Sequence, residues 1–442
     1  MEDPEPSPGM LVTPLSRRRF LRGSLAVGGT AVGSVVTTGA TGATATGAAP
    51  KVESSCATVT EAGLVVSVVA TGPGSARVEA WPSDSPDAVV RSPWRGTNGA
   101  GVAKLTLAGA ARPGEAWSWR GVVRALSGGP ETRGRVHRVP ARPAAGTPSA
   151  FTFAFGSCIL QKHSIPTLQV ALAAHPVFFA MIGDLGYQDD PAFHPYAQTY
   201  PRYVELFRRI LRRRDMSRLL EATPLFGVQD DHDYGQDDAW RATLKTYAAQ
   251  AYADVIPGAR WPEPDYRRWS IGQVDFFLTD NRRYRDPPSP PFANGEYRSV
   301  LGTQQRNWLL DGMATSNARL KVVFIPMTMA WYWSAGERDA VLRAIEERVA
   351  GTVILCSGDK HAGAFVRHAD RVWELLASPL ENPAKHRTPM KPGVLYTENG
   401  TGEALWDVVA LVEVDTASEQ TVTLRLMRDN GAELHREVVS LA

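Results

Sequence analysis

Six short apolar runs limit what the chain can fold into from residue 151 onward. They are rich in β-branched and aromatic residues, and their length fits buried strands better than helices. The runs cover residues 151–155, 177–182, 224–228, 274–278, 320–325 and 352–355. Three segments that lie between them, residues 203–211, 304–313 and 337–349, are predicted to be helices. Strands that alternate with helices predict an α/β domain over residues 150–442.

Residues 51–140 have a different pattern, that of short strands separated by Gly and Pro turns. Ala76–Trp81 alternates apolar and polar side chains at the two-residue period of a strand, and no long helical period occurs nearby. This pattern predicts a small all-β sandwich of the immunoglobulin or fibronectin type. Pro140–Pro148 has the composition of a linker to the α/β domain.

The first 48 residues have the features of an export signal. Arg17–Leu21 has the consecutive arginines and the following Phe-Leu of a twin-arginine signal, and Ala43–Ala45 offers a small-residue cleavage site. The apolar run of residues 25–36 is too short to span a bilayer. An ordinary basic, disordered terminus is the alternative interpretation.

This signal predicts that the twin-arginine translocase exports the folded protein, and the route hints at a metal or prosthetic group installed before export. No other apolar stretch is long enough to cross a membrane, so we expect an extracytoplasmic mature protein without a membrane span. The chain has 48 basic and 46 acidic side chains and a formal net charge of +2, which argues against a nucleic-acid-binding protein.

Polar clusters follow four of the apolar runs at the point where each predicted strand ends. They are Gly156-Ser157-Cys158, Gly183-Asp184-Leu185-Gly186-Tyr187, Asp230-Asp231-His232-Asp233 and Gly358-Asp359-Lys360-His361. Because ligands bind beyond the carboxyl ends of strands in open α/β sheets, we expect these clusters to form one site. Packing Asp184, Asp231 and Asp359 together without cations would be costly through repulsion and desolvation. The clusters therefore predict a di- or trinuclear metal site, with unrelated turns as the alternative.

The three cysteines are too few, and odd in number, for a disulfide framework. Cys158 is a candidate metal ligand, with the role of a small buried hydrophobic residue as the alternative. Cys356 lies inside an apolar run and is expected to pack in the core. Cys56 has no informative pattern around it.

The polar clusters resemble the motifs of the PhoD-type alkaline phosphatases, which belong to the calcineurin-like metallophosphoesterase superfamily. Asp280–Asp286 is similar to the family's Asp-x-Arg-x-Tyr-Arg-Asp segment. Leu301-Gly302, with Gln304 or Gln305 and Trp308-Leu309, also resembles the family. The resemblance covers residues 151–414 in the family's order. It implies a layered αββα domain of the metallophosphoesterase type, preceded by the small β-sandwich.

The same resemblance implies two kinds of metal ion. The residues that would hold a ferric ion, Fe(3+), are Cys158, Asp184, Tyr187 and His361. Asp184 would bridge to one or two calcium ions, Ca(2+), with Asp231 and Asp359 as further calcium ligands. This division agrees with general coordination chemistry, because thiolate, phenolate and imidazole suit iron whereas carboxylate oxygens suit calcium.

The implied reaction is hydrolysis at phosphorus. A ferric ion lowers the pKa of bound water, so hydroxide would be available near neutral pH. His232 is the candidate for protonating the leaving oxygen or stabilising the transition state, with a hydrogen-bonded loop histidine as the alternative. Arg282 or Arg285 would hold phosphate oxygens in a bidentate fork, or would instead pair with Asp280 or Asp286.

Residues 326–333 depart from the calcineurin-like pattern, which places a metal-binding histidine near this point. PhoD-type enzymes also tend to lack that histidine, and its absence weakens a two-metal assignment. Tyr332 and its two neighbouring tryptophans have two alternative roles, lining the mouth of the site or packing in the core.

The favoured function is that of a secreted, metal-dependent phosphoesterase that releases phosphate from small organic mono- or diesters. A phospholipase D-like phosphodiesterase is the second hypothesis, because the same scaffold and metals serve both activities. The third is a non-catalytic binding protein with structural metals. The binding-protein hypothesis is disfavoured, because Trp81, Trp117 and Trp119 mostly fit strand faces that point inward.

Overall fold

The structure is a computed structural model that describes residues 49–160, 163–192, 194, 198–287, 299–383, 390–397 and 405–441. The predicted export signal of residues 1–48 lies outside these residues. Within the described ranges, no helix combines the length and the apolar composition needed to cross a membrane.

Two small antiparallel sheets form the amino-terminal part. Their strands are β1 (Val52–Thr60), β2 (Gly63–Ala70), β3 (Ser75–Pro82), β4 (Val90–Arg91), β5 (Arg95–Gly96), β6 (Val102–Ala108), β7 (Trp117–Arg124), β8 (Thr132–Arg133) and β9 (His137–Val139). One sheet has the order β1-β2-β6 and the other β4-β3-β7-β8, with β5 beside β3 and β9 beside β7. The alternation predicted for β3 is present, because Ala76, Val78 and Ala80 enter an apolar cluster shared by both sheets.

Two larger mixed sheets form the centre of the remaining chain. The first contains β10 (Ala150–Gly156), β11 (Phe179–Ile182), β12 (Leu225–Val228), β20 (Val408–Asp415), β21 (Thr421–Arg428) and β22 (Glu433–Ser440), in the order β12-β11-β10-β20-β21-β22. The second contains β13 (Arg267–Ile271), β14 (Val274–Leu278), β15 (Leu320–Met327), β16 (Thr352–Gly358), β17 (Gly363–Ala369), β18 (Val372–Ala377) and β19 (Val394–Thr397), in the order β13-β14-β15-β16-β18-β17-β19. The six predicted strands are confirmed as β10, β11, β12, β14, β15 and β16.

Helices cover the outer faces of both large sheets. They are α1 (Pro166–Ala173), α2 (Tyr200–Arg212), α3 (Arg214–Ala222), α4 (Thr246–Val255), α5 (Gly302–Ala314), α6 (Met329–Tyr332) and α7 (Ala335–Arg348). Helices α1 to α4 pack on the first sheet, whereas α5 and α7 pack on the second. A core rich in phenylalanine, with Phe153, Phe276 and Phe324 at its centre, lies between the sheets. The mixed α/β fold is confirmed, with layers in the order helices, sheet, sheet, helices.

Residues 48–442 pack as one compact unit. Cys56, Val69 and Val102 of the small sheets belong to the same apolar cluster as the helices on the first large sheet. A separate sandwich domain over residues 51–140 therefore stays a prediction. Cys356 is buried between the two large sheets, so its predicted place in the core is confirmed.

The parallel strands fix the position of the polar loops. β10, β11 and β12 are parallel to one another, and so are β14, β15, β16 and β18. The loops after these strands therefore leave their sheets at the carboxyl ends of the strands, where sites form in α/β folds.

Candidate metal centre

The loops after β10, β11 and β16 bring a thiol, a carboxyl, a phenol and an imidazole together. The Cys158 Sγ lies 3.3 Å from Asp184 Oδ2, and the Tyr187 hydroxyl donates to the same oxygen at 3.1 Å. The Tyr187 oxygen is also 2.9 Å from His361 Nε2. All four side chains are buried. We call these four residues the thiol group of the centre; a donor set of this kind suits iron.

Carboxylates from three loops form a second set beside the first. Oxygens of Asp184, Asp230, Asp231 and Asp359 all lie within 4.8 Å of one another. We call these residues the carboxylate group; oxygen donors of this kind suit a hard cation such as calcium. Asp184 belongs to both groups, because its ligand atoms also lie within 4.8 Å of those of Cys158 and His361.

Two glycines allow the ligand loops to approach each other. Gly183 has a φ of +102°, and a Cβ there would lie 2.4 Å from the Asp230 Cβ. A Cβ at Gly358 would lie 2.3 Å from the Ser157 hydroxyl oxygen. Any side chain at either position would push apart two loops that carry candidate ligands.

Several residues of the centre adopt the left-handed backbone conformation themselves. Their φ angles are 65° at Cys158, 56° at Asp184, 55° at Asp238, 68° at Asp359 and 52° at His361. This conformation is uncommon outside glycine. At Cys158, Asp184, Asp359 and His361 it occurs within three residues of the end of a strand, where the chain turns toward the centre.

Asp233 joins the loop after β11 to the loop after β12. Its carboxylate accepts hydrogen bonds from the backbone N–H groups of Asp184 at 2.7 Å, Leu185 at 3.0 Å and Asp230 at 3.0 Å. Because both of its oxygens are engaged by the backbone, Asp233 positions candidate ligands instead of serving as one.

The residues present fit bound cations. Asp184 Oδ1 and Asp230 Oδ2 are buried and have no hydrogen-bond partner among the described residues. Burial raises the pKa of Asp184 well above its usual range, and the neighbouring Cys158 and Asp231 raise it further. Burial also raises the pKa of the Cys158 thiol to about 12. Cations would give the two oxygens a partner and would favour the ionised forms of these groups.

Arg282 lies inside the carboxylate group. It follows β14 and is buried, its Nε pairs with Asp230, and its Nη2 lies 3.3 Å from Asp231 and 2.9 Å from Asp359. Burial opposes its charge, but these carboxylates raise its pKa well above the usual value. The guanidinium therefore neutralises part of the negative charge of the group.

The alternative role of the two arginines, a salt bridge with Asp280 or Asp286, is not supported by the ion pairs of the described residues. Arg285 is buried and its Nη2 lies 2.7 Å from Asp238, which also lies 3.3 Å from Arg282 Nη1. Asp280 instead accepts from the backbone N–H of Arg282 at 3.1 Å. Asp286 pairs with an arginine of another loop, Arg241. The difference arises because both guanidinium groups point toward the ligand loops after β12, away from their own turn.

His232 begins a short 3-10 helix, His232–Tyr234, directly after the ligand loop. Its Nδ1 lies 2.8 Å from Asp189 Oδ2, and its ring packs against Tyr187 with 4.1 Å between centroids. Burial disfavours its charge, but Asp231, Asp184 and the Asp189 hydrogen bond raise its pKa well above the usual value. A ligand atom of His232 also lies within 4.8 Å of those of Asp184 and Asp231. The imidazole is thus able to donate a proton or to bind a cation.

The loop after β15, where a histidine is absent, is held by Glu374 of β18. The Glu374 carboxylate accepts from the Thr328 hydroxyl at 2.6 Å and from two backbone N–H groups at the start of α6. Trp333 packs in the core. Tyr332 is half-buried, and the Lys360 ammonium lies 5.0 Å from its ring centroid. Trp333 therefore has the packing role, whereas Tyr332 contacts a residue of the Gly358–His361 loop.

Three carboxylates of the centre were missed by sequence reasoning: Asp230, Asp189 and Asp238. Asp230 stands directly after a predicted strand in the Asp-Asp-His-Asp cluster. This position could have identified it as a candidate ligand. Asp189 and Asp238 follow their clusters by a few loop residues, and a single sequence does not distinguish them from ordinary solvated loop carboxylates.

This architecture, two mixed sheets packed between helices with candidate metal ligands at the ends of parallel strands, is that of a metallophosphoesterase fold. A solved structure described as PhoD matches 88% of this chain and 89% of its own, with a TM-score of 0.69 at 15% identity. A purple acid phosphatase, PPD1 from yellow lupin (Lupinus luteus) seeds, matches 89% of this chain and 74% of its own, with a TM-score of 0.66 at 10% identity. At such identities these two matches show the fold alone.

The chain belongs to the PhoD-like phosphatase family, whose sequence model matches residues 178–403, more than half of the chain. A curated relative, alkaline phosphatase D of Bacillus subtilis (strain 168), is 24% identical over 285 residues. That match covers 52% of this chain and 48% of the relative, so the chain spans about half the relative's length.

Proposed function

We propose that this protein is a metal-dependent phosphoesterase that hydrolyses phosphate mono- or diesters of small molecules. The observation that carries the proposal is the position of Asp184, whose carboxyl belongs to both the thiol group and the carboxylate group. Because Asp184 belongs to both donor sets, cations held by the two sets would lie close enough to act on one phosphate ester. Membership of the PhoD-like phosphatase family supports the same chemistry.

The donors suggest which cations the centre takes. Fe(3+) would be held by the thiol group, Cys158, Asp184, Tyr187 and His361. Ca(2+) would be held by the carboxylate group, Asp184, Asp230, Asp231 and Asp359. When bound, these cations lower the pKa of water and stabilise negative charge on the phosphoryl group.

The side chains of this protein would supply the proton and the positioning. Asp189 holds Nδ1 of His232, so Nε2 is the atom that would protonate the leaving oxygen. Arg282 and Arg285 are buried and paired with carboxylates, so we assign them to balancing and positioning those carboxylates. Hydrogen bonds from Arg282 and Arg285 to phosphate oxygens would require both side chains to leave the carboxylates that they now contact.

We also propose that the protein is exported by the twin-arginine translocase and acts outside the cytoplasm, on the pattern of residues 17–21. The two small antiparallel sheets are compatible with an immunoglobulin- or fibronectin-like sandwich over residues 51–140.

Metal analysis combined with a visible spectrum tests the choice of cations. Protein exported through the twin-arginine route should contain iron and show a tyrosinate–iron(III) absorption band. Tyr187→Phe should lose this band, whereas Tyr396→Phe, a matched control on β19, should keep it. Colourless, iron-free and fully active protein would contradict the assignment of iron.

Turnover of three esters tests the reaction: p-nitrophenyl phosphate, bis(p-nitrophenyl) phosphate and phosphatidylcholine. Metal-dependent hydrolysis of the first or second supports the proposal. Preference for phosphatidylcholine would favour a phospholipase D-like phosphodiesterase instead. Bound metal without turnover of any ester would favour a binding protein in which the metals are structural.

A further inference from the structure

A cavity of about 340 Å³ lies at the edge of the sheets opposite the metal centre. It is bounded by the turn after β1, the loop after β6 and the residues that precede β11 and β12. Most of its wall is apolar and consists of Val59, Ala110, Val177, Phe178, Phe226 and Trp269. The volume falls within the range of small-molecule sites.

This cavity is remote from the candidate ligands. Phe178 lines the cavity just before β11, whereas Asp184 follows the other end of the same strand. Six residues of extended chain span about 20 Å. A molecule in the cavity therefore contacts none of the candidate metal ligands, and its binding does not depend on the proposed function.

The Arg142 guanidinium lines the cavity, and so does Arg112. Arg142 Nη2 donates to the Ala111 carbonyl oxygen at 3.0 Å. The Arg142 Nε and the Trp269 Nε1 are covered by the protein and lie out of reach of a ligand. A single neutral acceptor leaves the charge of the Arg142 guanidinium unbalanced.

The charge of Arg142 is also uncompensated. Within the described part of the chain, no carboxylate forms an ion pair with it, and burial is the cause that lowers its pKa. Glu61 lies at the rim of the cavity, but its side chain is exposed to solvent. A carboxylate matches both the charge of a guanidinium and its paired N–H groups.

We propose that this cavity binds a small apolar carboxylic acid in its ionised form. The carboxylate would pair with the Arg142 guanidinium, and the apolar body would lie against Phe178 and Phe226. Aromatic rings in the wall favour an aromatic or short acyl body, because such groups bury much apolar surface in a small volume.

Isothermal titration calorimetry of the metal-loaded protein with 2-naphthoate and its neutral analogue 2-naphthamide tests this inference. Naphthoate should bind at least about tenfold more tightly than the amide, a difference of about 1.4 kcal/mol. Arg142→Leu should abolish this preference. Val177→Phe, which fills part of the cavity, should abolish the binding of both compounds.

Thermal unfolding shows whether Arg142→Leu and Val177→Phe are folded. Both variants should hydrolyse a phosphate ester at the wild-type rate, because the cavity is remote from the candidate metal ligands. Arg142→Gln removes the charge and keeps a polar side chain, so it replaces Arg142→Leu should that variant fail to fold. It should likewise abolish the preference for naphthoate over the amide.

Three results overturn the proposal. One is the absence of naphthoate binding at about millimolar concentration. A second is equal affinity of the wild-type protein for acid and amide, which needs no variant. The third is unchanged naphthoate binding in folded Val177→Phe, since the ligand would then occupy another place.

Discussion

Asp184 links the thiol group and the carboxylate group. Its Oδ2 faces the Cys158 thiol and the Tyr187 hydroxyl, while its Oδ1 is buried without a partner in the described chain. Without cations, burial and neighbouring negative charge oppose its ionisation. Cations held by the two groups would instead favour the ionised form of this carboxyl.

Asp184→Asn tests separately whether Asp184 binds cations and whether it affects the stability of the cation-free protein. Metal content should fall to a small fraction of the wild-type value, and ester turnover should fall at least about a hundredfold. Cation-free Asp184→Asn should be about as stable as the wild-type protein, because burial already favours the neutral form of Asp184 when no cation is bound. Metal analysis, turnover of p-nitrophenyl phosphate and urea unfolding in chelator measure the three quantities.

Asp370→Asn is the matched control, since the Asp370 side chain is 97% exposed and pairs with Arg367. It should leave metal content, turnover and stability unchanged. An Asp184→Asn protein that retains its full metal content would show that Asp184 is no bridge.

Arg282 makes the opposite contribution, because it compensates charge that cations would otherwise compensate. Arg282→Ala leaves Asp230, Asp231 and Asp359 facing one another, so the cation-free protein should lose about 3–5 kcal/mol of unfolding free energy. Added divalent cation should restore part of that loss. Urea unfolding with and without cation is the measurement.

Arg436→Ala provides the comparison for Arg282. The Arg436 side chain is 51% exposed and pairs with Glu433 at 3.1 Å, so its loss should cost about 0–1 kcal/mol. Equal losses in the two variants would mean that the buried guanidinium does not stabilise the carboxylate group.

At the scale of elements, a single carboxylate connects four strands of one small sheet. Glu79 of β3 is buried and lies 3.1 Å from Arg77 of β3 and 3.1 Å from Arg91 of β4. It also lies 2.8 Å from Arg120 of β7 and 3.5 Å from Arg133 of β8. Burial opposes its charge, but hydrogen bonds with Arg120 and Arg91 and the charges of Arg120 and Arg133 lower its pKa to about 2.

The sheet should therefore lose stability in acid. The folded-state pKa of Glu79 lies below its unfolded value of 4.5, so the contribution is complete above about pH 4.5 and disappears as the pH falls toward 2. Allowing for solvent around the exposed arginines, we expect a loss of about 1–2 kcal/mol. Urea unfolding across this window should show the loss in wild type and a flatter profile in Glu79→Gln. If the stability profiles of wild type and Glu79→Gln are parallel, the acid sensitivity comes from groups other than Glu79.

The elements that were predicted from the sequence have a continuous or periodic apolar pattern. β10, β11 and β16 are mostly apolar runs because both of their faces are covered, and α2 has one apolar face that includes Tyr203 and Phe207. The carboxyl-terminal strands β20 and β21 were missed although β20 is a mostly apolar run and β21 alternates buried and half-exposed positions, both of which are strand patterns. β22 carries many charged and exposed residues, and its identity as a strand depends on pairing with β21.

Only part of the candidate site could be predicted from the sequence. Cys158, Asp184 and Asp359 follow apolar runs, so strand ends mark them. The direction of Arg282 and Arg285 is set by Asp230 and Asp238, which are about 50 residues away along the chain. Contacts at such separations depend on the packing of two sheets, and a single sequence contains no signal for them.

At the scale of the whole molecule, the centre joins the two large sheets. Cys158, Asp184 and Asp231 follow strands of the first sheet, whereas Asp359 and His361 follow a strand of the second. Cations bound by all of them would cross-link the two layers, and anything that binds the folded state alone stabilises it.

Removal of metal should therefore lower the unfolding temperature of the whole protein. A cation present at about a hundred times its dissociation constant adds about 2.7 kcal/mol to the unfolding free energy. Differential scanning calorimetry before and after chelation should show the decrease, and added metal should reverse it. Asp184→Asn should show little change on chelation. An identical unfolding temperature with and without metal would mean that the cations contribute nothing to joining the sheets.

The left-handed backbone at Cys158, Asp184, Asp238, Asp359 and His361 has a consequence for engineering. Each of these residues makes the folded protein less stable by about 1 kcal/mol than glycine would, because glycine adopts this conformation without a steric penalty. A laboratory screen that rewards heat resistance alone would accordingly enrich glycine at these positions and yield robust but inert proteins. Directed evolution of this chain should couple every thermal challenge to an assay of turnover.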